Sequence, residues 1–228
     1  MLRKLAERFC GSRFVGAQAE YAVADAHMIA LKPERLSMVE AASVPVVAVT
    51  AWQMLFEHAR PAAGQTVMVL GAAGNVGAYA VQFAADAGFH VIAVVGSKDV
   101  AFVRTLGATD VIDYRVSDFT NLPQPVDVVI DTVGGETRDR AMNVLKPGGI
   151  LVTVVSTEFV PARADVRTAF FYAEVTTARL NTISRLLERG TARPQVGSVL
   201  PLEHVRVAHE MLAGAPHERG KIVLNVAA

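Results

Sequence analysis

Between Val67 and Gly77 the chain reads VMVLGAAGNVG, and no other stretch restricts the fold so strongly. Four apolar residues, Val67 to Leu70, run into glycines at 71, 74 and 77, and the Ala-rich AYAVQFAADAG follows. The pattern predicts a strand, a tight turn and a helix. Glycine supplies backbone conformations that a side chain forbids, lets the main chain approach a ligand and aims a helix N-terminus at an anion. A dinucleotide pyrophosphate is the expected guest. The spacing is GxxGxxG rather than the commoner GxGxxG, so the motif alone is equally compatible with a plain glycine turn. Its surroundings favour the nucleotide. The apolar run VIAVV at Val91–Val95 supplies a second strand, which completes a βαβ unit.

The same texture continues through the middle of the chain. A helix is expected from Asp99 to Leu106, a third strand at Asp110–Ile112, and a fourth at Asp127–Asp131 (DVVID) after the loop broken by Pro123 and Pro125. A helix over Glu136–Leu145 and a fifth strand at Ile150–Val155, entered by a turn at Pro147-Gly148-Gly149, complete the alternation. Strands alternating with helices predict an α/β fold with a doubly wound parallel sheet of Rossmann type.

The flanks differ. MLRKLAERF could form a short amphipathic helix, and residues 14–31 contain two extended-looking pieces, GAQAEYAVAD and HMIALKP, that read as the tail of a β-rich domain. Ser37 and Glu40 have capping-box spacing at the start of two helices broken near Pro45. Thr50 and Trp52 fall in the second helix, where ligand contact and plain core packing are both open readings. Beyond the sheet region, Ala173–Gly190 predicts an amphipathic helix, Gln195–Leu200 a strand, Glu203–Leu212 a helix and Lys221–Val226 a closing strand.

Composition narrows the function classes. The 228 residues carry 22 cationic and 22 acidic side chains, so no net charge draws the chain to nucleic acid or an anionic membrane. No apolar run is long enough for a membrane span and no secretory signal is evident. The single cysteine, Cys10, precludes an internal disulfide and fits a reducing compartment, so a cytoplasmic protein is expected. Apolar residues make up 52%, and the mean hydropathy is +0.33. That excess fits a surface covered by a partner or a missing segment.

The end of the second strand decides the nucleotide. An NAD site wants a carboxylate there for the ribose hydroxyls, whereas this chain has Gly96-Ser97-Lys98. A hydroxyl and an ammonium suit a 2′-phosphate, with Tyr114 and Arg115 at the end of the third strand closing on its other side; Lys98 as the first residue of a solvated helix is the alternative. Asp99 is an acid one residue too late. Six scattered histidines and one cysteine give no zinc spacing, so no metal is expected. A GxSxG elbow is missing, as is the YxxxK pair of short-chain dehydrogenases. The KPGG turn also occurs in S-adenosylmethionine-dependent methyltransferases, which usually want an acid at the end of strand two.

Six segments, TAWQML (50–55), AAGQTVMVLGAAGNVGAYAVQFA (62–84), LGATDVIDYR (106–115), DVVIDTVGGET (127–137), LKPGGILV (145–152) and RGKIVL (219–224), resemble the zinc-independent NADPH:quinone oxidoreductases of the medium-chain dehydrogenase/reductase superfamily, the zeta-crystallin-like branch. The resemblance implies NADP(H) as cofactor, hydride transfer to a quinone or another conjugated carbonyl, and a homodimer joined through the nucleotide-binding sheets. It further implies that Gly71, Gly74, Asn75, Val76 and Gly77 form the pyrophosphate turn and that Ser97, Lys98 and Tyr114 meet the 2′-phosphate. Thr50, Val133, Val155 and Ser156 would line the nicotinamide side, Phe170, Phe171 and Val175 would approach the ring, and Lys221 and Arg219 would be further contacts. No catalytic proton donor is assigned.

Members of that family carry most of a GroES-like β domain before the segment matching RFVGAQAEYAVAD, and here a leader of about a dozen residues stands in its place. The expected organisation is therefore a remnant of the catalytic domain at 1–33, an NADP-binding domain at 34–192 and a segment returning to the catalytic domain at 193–228. Two functions follow as expectations: a quinone-reductase-type enzyme or a truncated form of one, or alternatively a non-catalytic NADPH-binding or interaction module.

Overall fold

The computed structural model describes residues 18–156, 161 and 163–226. The expected helix in MLRKLAERF and Cys10 lie outside these residues. The first α-helix begins where the capping box predicts: the Glu40 N–H donates to Ser37 Oγ at 3.2 Å and the Ser37 N–H to Glu40 Oε2 at 2.8 Å. Helix α1 (Met38–Ala42) follows, and α2 (Pro45–Trp52) opens with Pro45 in its first turn, where a missing N–H costs no helical bond. A π-helical turn, Gln53–Ala59, continues α2, and its Arg60 N–H to Leu55 carbonyl bond is 2.7 Å long. Arg60, at φ 50°, is the only non-glycine with positive φ among the described residues.

Contacts part the chain into two compact units, one spanning Thr50–Tyr172 and the other made of the segments before and after it. The partings fall at 49/50 and 172/173, where the sequence reading has 33/34 and 192/193.

In the Thr50–Tyr172 unit, β1 (Thr66–Leu70), β2 (His90–Val95), β3 (Asp110–Asp113), β4 (Val126–Asp131), β5 (Leu145–Thr153) and β6 (Arg167–Phe170) form one sheet in the order β3-β2-β1-β4-β5-β6. Every neighbouring pair is parallel. Helices α3 (Asn75–Asp86), α4 (Val100–Thr105) and α5 (Gly135–Ala141) make the crossovers. From β1 the chain winds to one edge and then returns to β4 to wind to the other, so the strand order reverses between β1 and β4. Ligands of open α/β sheets bind at that crevice, beyond the carboxyl ends of the strands. Val67 lies opposite Val91 and Val128 in this register. Met68, Leu70, Ile92, Val94, Val129 and Leu151 build a buried core with Met142 and Leu145. A second, aromatic cluster joins Trp52 to Phe56 (ring centroids 4.3 Å apart) and to Phe83 (6.1 Å), with Tyr79 against Phe83 (5.6 Å).

The helix predicted to reach Leu145 stops at Ala141 and tightens into a 3-10 turn at Met142–Val144. Pro147-Gly148-Gly149 is no turn between helix and strand but an irregular part of β5, whose pairing jumps from Val126–Leu145 to Val128–Ile150. A Cβ on Gly149 would lie 2.9 Å from the Lys146 oxygen and 3.0 Å from the Asp127 oxygen, so the close approach of backbones demands glycine. Edge strand β6 was not anticipated, because four half-exposed residues give too short an alternation to register.

In the other unit, the described residues of the two extended pieces expected before Pro33, from 18 onward, form no strand. Residues 26–28 form a 3-10 turn whose Asp25 cap accepts from the His27 N–H at 3.4 Å. Helix α6 (Thr177–Glu188) begins at Thr176, whose hydroxyl accepts from the Arg179 N–H, and buries Leu180, Ile183, Leu186 and Leu187, the stripe its periodicity predicts. Strand β7 (Val196–Pro201), helix α7 (Val205–Leu212) and β8 (Lys221–Asn225) follow, with β7 and β8 paired parallel. No helix among the described residues is long and apolar enough to cross a membrane.

Candidate nucleotide site

Of the three glycines after β1, Gly71 and Gly77 each answer a separate steric demand. Gly71 has φ +69°, and a Cβ on it would stand 2.6 Å from Thr132 Oγ1. Gly74 caps α3 with extended backbone and donates its N–H to the Gly71 oxygen at 2.9 Å. Gly77 lies in the first turn of α3, where a Cβ would be 2.2 Å from the Gly71 oxygen and 2.8 Å from Ala72 Cα. The helix therefore rests directly on the turn it leaves. The opening N–H groups of a helix have no intrahelical acceptor, and Gly74 is exposed, so Asn75 and Val76 present backbone donors to an anion.

Beyond β2 the chain passes through Gly96 to the exposed Ser97 and Lys98, and no carboxylate ends the strand. The Tyr114 N–H bonds the Val95 oxygen at 3.0 Å and carries residues 114 and 115 over Gly96. A Cβ on Gly96 would lie 3.3 Å from Arg115 Nε and 3.4 Å from the Tyr114 hydroxyl. The Arg115 guanidinium stands 5.8 Å from the Tyr114 ring centroid. Lys98, Arg115, Tyr114 and Ser97 thus belong to two adjacent strand ends, as the sequence reading expected. That reading missed Asp113: its carboxylate takes hydrogen bonds from the Ser97 hydroxyl and from the Arg115 N–H (3.0 Å), which hold its pKa below the ordinary carboxylate value.

The loops after β4 and β5 are tied together. Asp131, fully buried, accepts from the Val133 N–H at 3.0 Å and the Gly134 N–H at 2.9 Å through Oδ1, and from the Thr153 hydroxyl at 2.7 Å through Oδ2. Thr153 Oγ1 in turn accepts the Val155 N–H at 3.2 Å. Thr132 donates to the Leu70 oxygen at 2.8 Å, which joins the β4 loop to the glycine turn. A Cβ on Gly134 would lie 2.7 Å from Val155 Cγ1. Val133 and Val155 keep about half their surface exposed, at 48% and 47%, although their backbones are pinned. None of Asp131, Thr132 or Thr153 stands out as a site residue in the sequence, where DVVID and ILVTVV read as strands and DVVIDTVGGET as a segment of resemblance.

Of the remaining expected contacts, Thr50 is buried within α2, Ser156 is half-buried after Val155, and Phe171 stacks on the His58 ring with centroids 4.2 Å apart and planes 18° apart. Val175 and Lys221 belong to the other unit: Val175 is buried before α6, and Lys221 opens β8, its ammonium pKa lowered by burial. Among the described residues no three His, Cys, Asp or Glu side chains gather as a metal site.

Comparison with known proteins agrees with this architecture. Residues 106–224 match the family model described as zinc-binding dehydrogenase. A probable zinc-binding oxidoreductase, mitochondrial, of Arthroderma benhamiae is 34% identical, over 92% of this chain and 69% of its own length. The mitochondrial NAD(P)H oxidoreductase RTN4IP1 of Homo sapiens is 31% identical over 92% of this chain and 61% of its own. The solved quinone oxidoreductase of Coxiella burnetii superposes with a TM-score of 0.77 at 30% identity, covering 86% of this chain and 63% of that one. The chain spans between about three fifths and seven tenths of the length of these relatives. With its doubly wound sheet, glycine turn and matched segments, the chain belongs to the zinc-binding dehydrogenase family of the medium-chain dehydrogenase/reductase superfamily.

Proposed function

We propose that this chain binds NADPH in preference to NADH and delivers hydride from it to a quinone or another conjugated carbonyl. The observation that carries the reading is the cradle at the sheet's switch point: a turn and helix start that only glycines can build, beside a strand end furnished with Lys98, Arg115, Tyr114 and Ser97. Backbone N–H groups at Asn75 and Val76 neutralise the pyrophosphate, and the two cations favour the 2′-phosphate. Val133, Val155 and Ser156, with Thr50, Phe171, Val175 and Lys221, complete the cofactor contacts. When bound, the nicotinamide supplies the hydride. The protein supplies orientation and exclusion of water, and a quinone oxygen takes its proton from solvent.

In this reading residues 34–192 hold the cofactor, and residues 1–33 and 193–228 belong to the catalytic domain. The chemistry is zinc-independent, the chain works as a homodimer in the cytoplasm, and its partner is a small molecule, neither nucleic acid nor membrane. The NAD(P)H oxidoreductase relative and the quinone oxidoreductase neighbour support the activity.

Fluorescence titration with NADPH and NADH, followed by a simple benzoquinone in the same cuvette with and without a chelator, tests it. Saturable binding that favours NADPH, then chelator-insensitive oxidation, is expected. Binding without oxidation assigns the chain to a non-catalytic NADPH-binding module, and no binding refutes the cofactor site.

A further inference from the structure

We propose that Asp131 is a positioning residue for hydride transfer, acting through Thr153 to hold the loops after β4 and β5 as one rigid wall beside the nicotinamide. The proposal rests on the reading above that Val133 and Val155 flank that ring. Its basis is geometric. A carboxylate with no exposed surface normally needs a cation, and among the described residues no cationic side chain pairs with Asp131. Its acceptor capacity goes to loop donors instead: two consecutive N–H groups of one loop and the hydroxyl of Thr153, itself fully buried.

Asp131 and Thr153 are the last opposed pair of β4 and β5, so the link spans the point where the two strands let go of each other. From Thr153 the chain of bonds continues to the Val155 N–H. On the other side Thr132 bonds the Leu70 oxygen, and the bare Cα of Gly134 lets Val155 press against it. The loops after β4 and β5 are thereby fixed through one carboxylate, and Thr132 ties the β4 loop to the end of the adjacent β1, while the side chains of Val133 and Val155 stay open to a ligand. A pyrophosphate held at Gly74–Val76 needs no contact with this network. Loosening it shifts the wall beside the ring and leaves the phosphate anchors in place. Reaction rate and affinity therefore separate.

Full-length Asp131→Asn, Thr153→Val and Thr153→Ser chains provide the test. Single-turnover oxidation of NADPH by benzoquinone is expected to slow about 10- to 100-fold in Asp131→Asn, since displacements near 1 Å cost that much, while NADPH affinity stays within about threefold. Thr153→Val should fall in the same direction, and Thr153→Ser, which keeps the hydroxyl, should recover. Amide hydrogen exchange of the ligand-free chains gives a readout independent of turnover: the Val133, Gly134 and Val155 amides should exchange faster in Thr153→Val than in Thr153→Ser. If Asp131→Asn fails to fold, the Thr153 pair decides. Unchanged oxidation rates in the variants, or a Thr153→Ser chain as slow as Thr153→Val, overturn the positioning role. A wild-type chain that binds NADPH without oxidising the quinone overturns the underlying reading instead, and the proposal with it.

Discussion

Gly77 and Gly71 touch backbone to backbone: a methyl group at 77 would intrude to 2.2 Å from the Gly71 carbonyl oxygen. Neither side can yield without moving α3 off β1. Gly77→Ala should therefore destabilise the chain by about 1–3 kcal/mol, as overpacking of a rigid site does, and should weaken NADPH binding at least about tenfold because the helix N-terminus shifts. Urea denaturation and nucleotide titration measure the two effects.

Tyr79 faces the opposite problem. Its ring packs on Phe83, yet its hydroxyl is buried without a hydrogen-bond partner among the described residues, and burial pushes its pKa up. Removing an unsatisfied buried hydroxyl relieves a desolvation penalty of about 1 kcal/mol or more, so Tyr79→Phe should raise the urea midpoint with an unchanged denaturant slope.

At the amino ends of the strands, Asp127 accepts from Lys146 Nζ at 2.8 and 2.9 Å and from the Thr66 N–H at 2.9 Å. Burial raises its pKa, but the bonds from Lys146 and Thr66 outweigh burial and leave it below the ordinary value. A folded-state pKa below the unfolded one gives stability that is present above pH about 4 and drains away as pH falls through the folded value. Melting temperatures between about pH 6 and pH 3 should fall more steeply in the wild-type chain than in Asp127→Asn.

Charge at the ends of β2 and β3 should set the nucleotide preference. Lys98→Ala is expected to weaken NADPH about tenfold and NADH less than about twofold, with the gap narrowing in high salt because the pair is exposed. Asp113 places a carboxylate on Ser97 in the same region, so Asp113→Asn should strengthen NADPH binding about two- to fivefold and leave NADH unchanged. Paired titrations at two salt concentrations decide both.

Much of this was legible in the chain because it is written in repeats of pattern. Buried strands such as VMVL and DVVID, the glycines at 71, 74 and 77 and the Ser37–Glu40 capping box carry local rules that hold whatever surrounds them. What escaped depends on long-range contact. Asp131 and Thr153 are 22 residues apart and become partners only through strand register, and β6 is recognisable as a strand only because β5 lies beside it. Pro147-Gly148-Gly149 carries strong turn chemistry and keeps it, with Gly148 at φ 79°, but uses it for a break in register within β5, between the Val126–Leu145 and Val128–Ile150 pairs, a place only the long-range pairing defines. Asp113 was hidden within VIDY for the same reason, its meaning set by Ser97 on the neighbouring strand end.

The π-helical turn at Gln53–Ala59 also governs angular phase. Each residue of an α-helix advances the side chain by about 100°, so one residue accommodated in a wider ring offsets everything after it by that angle relative to everything before. Trp52, ahead of the turn, keeps its edge on Phe83, while His58, near the turn's end, lies flat on Phe171. Deleting a single residue from this segment would restore an uninterrupted α-helix and rotate one of these rings out of its contact, making the turn a gear that lets one continuous helical rod address two separate partners.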